Sequence, residues 1–130
     1  MPMTPAEWLA AYRDAWLRRD ADAAAGLFTD DAMYAEQPYQ EPFVGPAAVR
    51  DYWARVTATQ ANIDMRYGTP ITVGNRTAVE WWTTLDNDGV PVTLAGAFIL
   101  TFDDSGLCRS LREYWQFTEG TREPKPGWGT

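Results

Sequence analysis

An α+β fold is predicted by three features of this 130-residue chain. The first half carries apolar residues at three- and four-residue spacing. The second half carries runs of β-branched and aromatic residues, and those runs are separated by Gly- and Asp-rich turns. Helices first and hairpins after them give an antiparallel sheet with its helices segregated to one face. The length suits a single domain, 1–130, with a core over about 5–118 and a flexible tail over 120–130.

Each element has a local reason. Thr4-Pro5-Ala6-Glu7 supplies an N-cap, a proline for the first helical position and a glutamate that closes a capping box. Trp8, Tyr12 and Trp16 then recur every fourth residue, flanked by Leu9 and Leu17, so one wide stripe is apolar. Asp20 caps a second helix from Ala21 to about Phe28. Gly45-Pro46 announces a third, carried by Val49, Tyr52, Trp53 and Val56. Between them, Met33 to Gln37 is too short and too Pro-bounded for a helix and reads as an edge strand that turns back through Gln40 to Val44. Strands follow near Ile63–Val73, Ala78–Leu85, Val90–Phe102 and Cys108–Thr118. Their turns are Gly74-Asn75, Asp86-Asn87-Asp88-Gly89 and Asp103-Asp104-Ser105-Gly106. The third of these strands is large on one parity (Val92, Leu94, Phe98, Leu100, Phe102) and small on the other. Both faces therefore suit burial, one against helices and one against a second copy of the chain, so a homodimer through the sheet is expected.

Composition narrows the chemistry. The net charge of −7 opposes binding to nucleic acid or to anionic lipid. No histidine is present, so His-based triads and imidazole metal sites are out. Cys108 stands alone, which excludes an internal disulfide and a cysteine-rich metal site. No apolar run is long enough to span a membrane, and the start MPMTPAEW lacks the features of a signal peptide, so a cytoplasmic protein is expected. No metal and no cofactor are expected. Seven Trp, six Tyr and five Phe are a heavy load for this length, and Trp53, Trp81, Trp82 and Trp115 around a small sheet are more than packing demands and suit a flat or cyclic apolar ligand.

Strand parity singles out two acids. In an extended segment Tyr34 and Glu36 share a face, and on the last strand Leu111, Glu113 and Trp115 do so. An inward Trp115 therefore brings Glu113 inward. A carboxyl in an apolar pocket has its pKa raised, and a second carboxylate raises it further, which yields the acid and base that proton-transfer chemistry needs. A salt bridge to Arg66, Arg109 or Arg112, or plain solvent exposure, is the competing reading. Tyr12, Trp16, Trp53, Trp81, Leu94, Phe98 and Trp115 are the expected substrate-binding wall, and Trp128 in the tail is a candidate cover for the pocket mouth.

The segments Asp20 to Ala32, Pro42 to Val49, Gly96-Ala97-Phe98 and Arg112-Glu113-Tyr114-Trp115 resemble the nuclear transport factor 2-like (SnoaL-like) superfamily. That resemblance implies a cone-shaped barrel, a curved antiparallel sheet wrapped around three N-terminal helices with a deep pocket inside. Against ketosteroid isomerases, Tyr12 matches a first-helix tyrosine, while the base and protonated-acid positions hold Gln37 and Phe98. The limonene epoxide hydrolase-like pattern is locally closer. It implies Tyr34 as water holder, Glu36 in place of an asparagine and Glu113 as base, with Val79 and Trp81 where an arginine and an aspartate would stand; Glu80 lies between them, on the opposite parity. Similarity to SnoaL-like polyketide cyclases implies the same acid, Glu113. The function expected is cofactor-independent acid–base chemistry on a small hydrophobic molecule, of hydratase, dehydratase, isomerase or cyclase type. Glu113 would be the base, Glu36 the partner acid or second base, and Tyr34 a donor. The alternatives are a non-catalytic small-molecule binder and a dimerising interaction module.

Overall fold

The computed structural model describes residues 2–130. Helix α1 (Pro5–Leu17) begins with the capping box: Thr4 Oγ1 accepts from the Glu7 amide and the Glu7 carboxylate accepts from the Thr4 amide. Its apolar stripe buries Trp8, Leu9, Tyr12 and Trp16. Each such large side chain contributes about 2–3 kcal/mol on burial. Trp8 also donates its indole N–H to the Leu27 carbonyl at 2.9 Å, which fixes α1 across the following turn.

Helix α2 (Ala21–Ala25) is shorter than its sequence suggests. Gly26 caps it, and strand β1 (Phe28–Ala35) starts two residues later because Phe28 already pairs with Cys108. A two-residue strand, β2 (Phe43–Val44), folds back on β1, and helix α3 (Pro46–Thr57) follows. The strand expected over Ile63–Val73 is two strands, β3 (Gln60–Tyr67) and β4 (Ile71–Val73). Pro70 lies between them and has no amide to give to a ladder, so the pairing breaks there. Both pair with the long β5 (Arg76–Asn87), each along its own stretch. Strands β6 (Val90–Phe102) and β7 (Cys108–Glu119) complete the meander. Asp88 and Gly89 both have positive φ (51° and 80°), the two-residue hairpin geometry an Asp-Gly pair favours.

The sheet runs β2-β1-β7-β6-β5-β3. It is antiparallel throughout except where β7 returns beside β1 in parallel, a non-local pairing that the hairpin pattern alone does not contain. The curved sheet stays open rather than closing into a barrel, and the helices pack into its concave side. Val92, Leu94, Phe98, Leu100 and Phe102 of β6 face that side. At Gly96 in the same row a Cβ would lie 2.6 Å from the Trp115 Cβ, so only glycine lets β7 approach this closely.

The tail over 120–130 is irregular but docked. Trp82 Nε1 donates to the Arg122 carbonyl at 2.9 Å, Arg66 pairs with Glu123 at 2.9 Å, and the Gly129 carbonyl accepts from the Thr69 amide at 2.7 Å. Trp128 meets Trp82 edge to face at 5.9 Å, on the sheet's outer side and away from the concave interior. Glu80 faces outward and accepts from the Gly129 amide at 3.0 Å. Among the described residues, no helix is long and apolar enough to cross a membrane.

Candidate active site

A cavity of about 190 Å³ opens between the helices and the concave sheet. From α1, Tyr12 and Trp16 reach it because four residues return a helix to the same face. From α3, Tyr52, Trp53 and Val56 line the opposite side. Trp81 of β5 and Leu94 of β6 form the floor, while Gln60 at the start of β3 sits beside Trp16. Tyr34 and Glu36 come from β1 and the residue just beyond it, and Glu113 and Trp115 from alternate positions of β7.

Parallel pairing of β1 with β7 sets Tyr34 against Leu111, which brings its hydroxyl to the neighbouring Glu113. Tyr12 and Tyr34 hydroxyls are 3.0 Å apart, and Tyr34 donates to Glu113 Oε1 at 3.4 Å. All three side chains are buried, Glu113 being 7% exposed. Neither Glu36 nor Glu113 forms an ion pair among the described residues. Arg66, one of the cations considered as a partner, is held by Asp64 and Glu123 instead. Glu36 Oε2 is buried with no hydrogen-bond partner among the described residues.

The electrostatics follow from that geometry. Burial, and then the charge of Glu36, push Glu113 up to about 8, while the hydrogen bond from Tyr34 pulls in the other direction. Burial also holds the Tyr12, Tyr34 and Tyr52 hydroxyls well above the usual phenol range, with the charge of Glu113 adding to each. Near neutrality Glu113 therefore carries a proton and the tyrosines are neutral donors. Cys108, buried behind β1, is pushed up to about 12 by desolvation and is not a ready thiolate.

The aromatic wall presents carbon to the cavity. Trp16 Nε1 is spent on Gln60 Oε1 and Trp115 Nε1 on the Glu36 carbonyl, each at 2.9 Å. The indole nitrogens of Trp53 and Trp81 are enclosed, with no acceptor among the described residues. Phe98, expected in the substrate wall, does not line the cavity. It is fully buried one layer behind, stacked on Trp81 at 5.5 Å and edge-on to Tyr12 at 5.3 Å, where it fixes both. Tyr52, Val56 and Gln60 line the cavity without having been singled out as site residues. The four-residue step from Tyr52 to Val56 on α3 was the available signal for two of them. Val79 is buried in the core, and the outward Glu80 is outside the site. Among the described residues no three Cys, Asp or Glu side chains converge as a metal site would require.

The family model for the SnoaL-like domain matches residues 9–110, so the chain belongs to the SnoaL-like family, within the nuclear transport factor 2-like superfamily. That match ends before Glu113. Solved structures share the fold at low identity. A protein of ketosteroid isomerase-like fold from Catenulispora acidiphila, in complex with trimethylamine, is 21% identical over 86% of each chain, with a TM-score of 0.75. SalBIII, an epoxide hydrolase/cyclase-like enzyme of pyran ring formation in salinomycin, is 23% identical over 85% of this chain and 89% of its own, with a TM-score of 0.74. A limonene epoxide hydrolase-like enzyme of Mycobacterium tuberculosis is 16% identical over 84% and 80%, with a TM-score of 0.70. No curated protein matches the chain in sequence.

Proposed function

We propose that this protein is an acid–base enzyme acting on a small, mostly apolar molecule by hydration, dehydration, isomerisation or ring closure. The observation that carries the reading is Glu113: a carboxyl buried in an aromatic cavity, unpaired with any cation and pushed up to about 8 beside a second carboxylate. A carboxyl so placed is protonated near neutrality yet close enough to its pKa to give the proton up, which is the condition for general acid catalysis. This reverses the base role expected of Glu113 from the sequence and keeps the second-base reading of Glu36. Glu113 begins as the acid and delivers its proton to a substrate oxygen, and Glu36 accepts a proton from carbon or from an attacking water. Tyr34 holds Glu113 in place, with Tyr12 behind it.

The neighbouring structures support chemistry of this type in this fold, since two are described as epoxide hydrolase-like. The experiment is a screen of terpenoid epoxides and cyclic enones followed by proton NMR, with Glu113→Gln alongside the wild type. Turnover lost in the variant supports the reading; a variant as active as the wild type contradicts it. Tight binding of a screened compound without turnover would favour a non-catalytic binder. A second copy of the chain on the outer face of β6 and β7, beside the docked tail, belongs to the same proposal and is checked by light scattering.

A further inference from the structure

We infer that the cavity selects a ligand carrying an alkylated ammonium group over a neutral molecule of the same shape. The inference rests on the reading of this cavity as a small-molecule site and adds the charge of the molecule it takes.

Three independent features of the lining point the same way. First, the cavity holds two carboxyl side chains and no arginine or lysine. Arg55 stacks over the Tyr52 ring at 5.8 Å and is not part of the lining. An apolar space that holds acids and no cation lacks one positive charge, and a ligand is the remaining source of it. Second, one of those acids has an oxygen, Glu36 Oε2, buried with nothing to accept from. An unmatched buried acceptor is costly, and a positive charge in the adjoining cavity stabilises it through space. Third, the wall is aromatic, and its indole N–H edges are tied up or enclosed, so Trp16, Trp53, Trp81 and Trp115 meet the cavity with ring carbon. The negative π surface of such rings attracts organic cations strongly where water is excluded.

A cation in this space also changes where the proton sits. The groups facing Glu113 are Tyr12 from α1, Tyr34 and Glu36 from β1 and beyond it, and Tyr52 from α3, none of them positive. A bound ammonium ion favours the ionised form of Glu113, so binding releases protons, and with such a ligand this carboxyl serves as the base in place of the acid it is for a neutral molecule. Affinity for the cation therefore rises as pH rises towards 9.

The test uses choline and its carbon isostere 3,3-dimethylbutan-1-ol as probes, titrated calorimetrically into the full chain at pH 7 in two buffers of different ionisation enthalpy. The expected result is choline binding at least about tenfold tighter than the isostere, with proton release, and a loss of about tenfold or more in Glu36→Gln. Equal binding of the two probes would overturn the charge preference while leaving the hydrophobic cavity as a site. Binding of neither probe would overturn it as well. A Glu113 carbon-13 titration on the same sample then shows whether the buried Glu113 acid still stands, so failure of this inference is separable from failure of the proposed function.

Discussion

Tyr34 and Glu113 lie 79 positions apart in sequence, yet the Tyr34 hydroxyl donates to Glu113 Oε1 at 3.4 Å inside the aromatic cavity. The contact exists because β7, the last strand of the meander, returns beside β1 in parallel. Much of what the site can do follows from it, since the bond positions the carboxyl and moderates the rise in its pKa.

Replacing Glu113 by Gln keeps the shape and removes the proton. Turnover of any substrate found is expected to fall by about 10²–10⁴-fold, the usual share of a positioned acid or base. Steady-state kinetics on the purified variant, with its fold checked by circular dichroism, reads this directly.

The same carboxyl makes stability depend on pH. The folded protein holds the Glu113 proton more tightly than the unfolded chain does, so stability falls as pH rises from about 4.5 to about 8. Below that window the penalty is absent, and above it the penalty is complete. Glu113→Gln, which never ionises, should match the wild type near pH 4.5 and exceed it near pH 9 by roughly 2–4 kcal/mol. Urea denaturation at the two pH values checks this; a difference independent of pH would contradict it.

Tyr34→Phe deletes the one hydrogen bond that favours the charged form of Glu113. The alkaline limb of the pH–rate profile, where Glu113 loses its proton, should move to higher pH, and activity should fall by about 10–100-fold as the carboxyl loses its positioning bond. Tyr12→Phe acts through Tyr34 and should move the same limb less. A profile unchanged in position in both variants would reduce the tyrosines to packing.

Gly96→Ala places a methyl group against Trp115, where a Cβ has 2.6 Å to its nearest side-chain neighbour. The Tyr114 carbonyl lies closer still, so the β7 backbone itself must shift, and a loss of about 1–3 kcal/mol is expected in thermal or urea unfolding.

Removal of residues 121–130 strips the Arg122 carbonyl from Trp82 Nε1 and the Trp128 ring from its face. A loss of roughly 1–3 kcal/mol is expected, with a red shift in tryptophan fluorescence as Trp82 meets water.

What could be read in the sequence was local. The Thr4–Glu7 box and the Trp8, Tyr12, Trp16 spacing define α1, and β7 parity puts Glu113 and Trp115 on one face. Parity set Glu80 on the opposite face only if no bulge intervened; the even β5–β6 register and its bond to the Gly129 amide decide that it faces outward. What was not legible depended on non-local contacts. Composition presents residues 120–130 as a loose end, whereas its partners, the Thr69 amide and the Trp82 indole N–H as donors and the Glu80 carboxylate as acceptor, come together only once the sheet has formed. Phe98 has the parity of the site, but Trp81 and Tyr12 stand between it and the cavity. Gln60, at a strand start, reaches the cavity through its bond to Trp16, and no spacing announced that. The raised pKa of Glu113 also required the structure, because burial, rather than residue type, causes it.

The measurement closest to the central claim is the titration of Glu113 itself, by carbon-13 NMR of the labelled carboxyl with Glu113→Gln used for assignment. A midpoint near 8 that falls in Glu36→Gln is the predicted result, since removing the second charge makes ionisation easier. A midpoint near the ordinary 4.5, unmoved by that change, would mean that Glu113 is a solvated carboxylate at neutral pH and that the acid assigned to this cavity is not there.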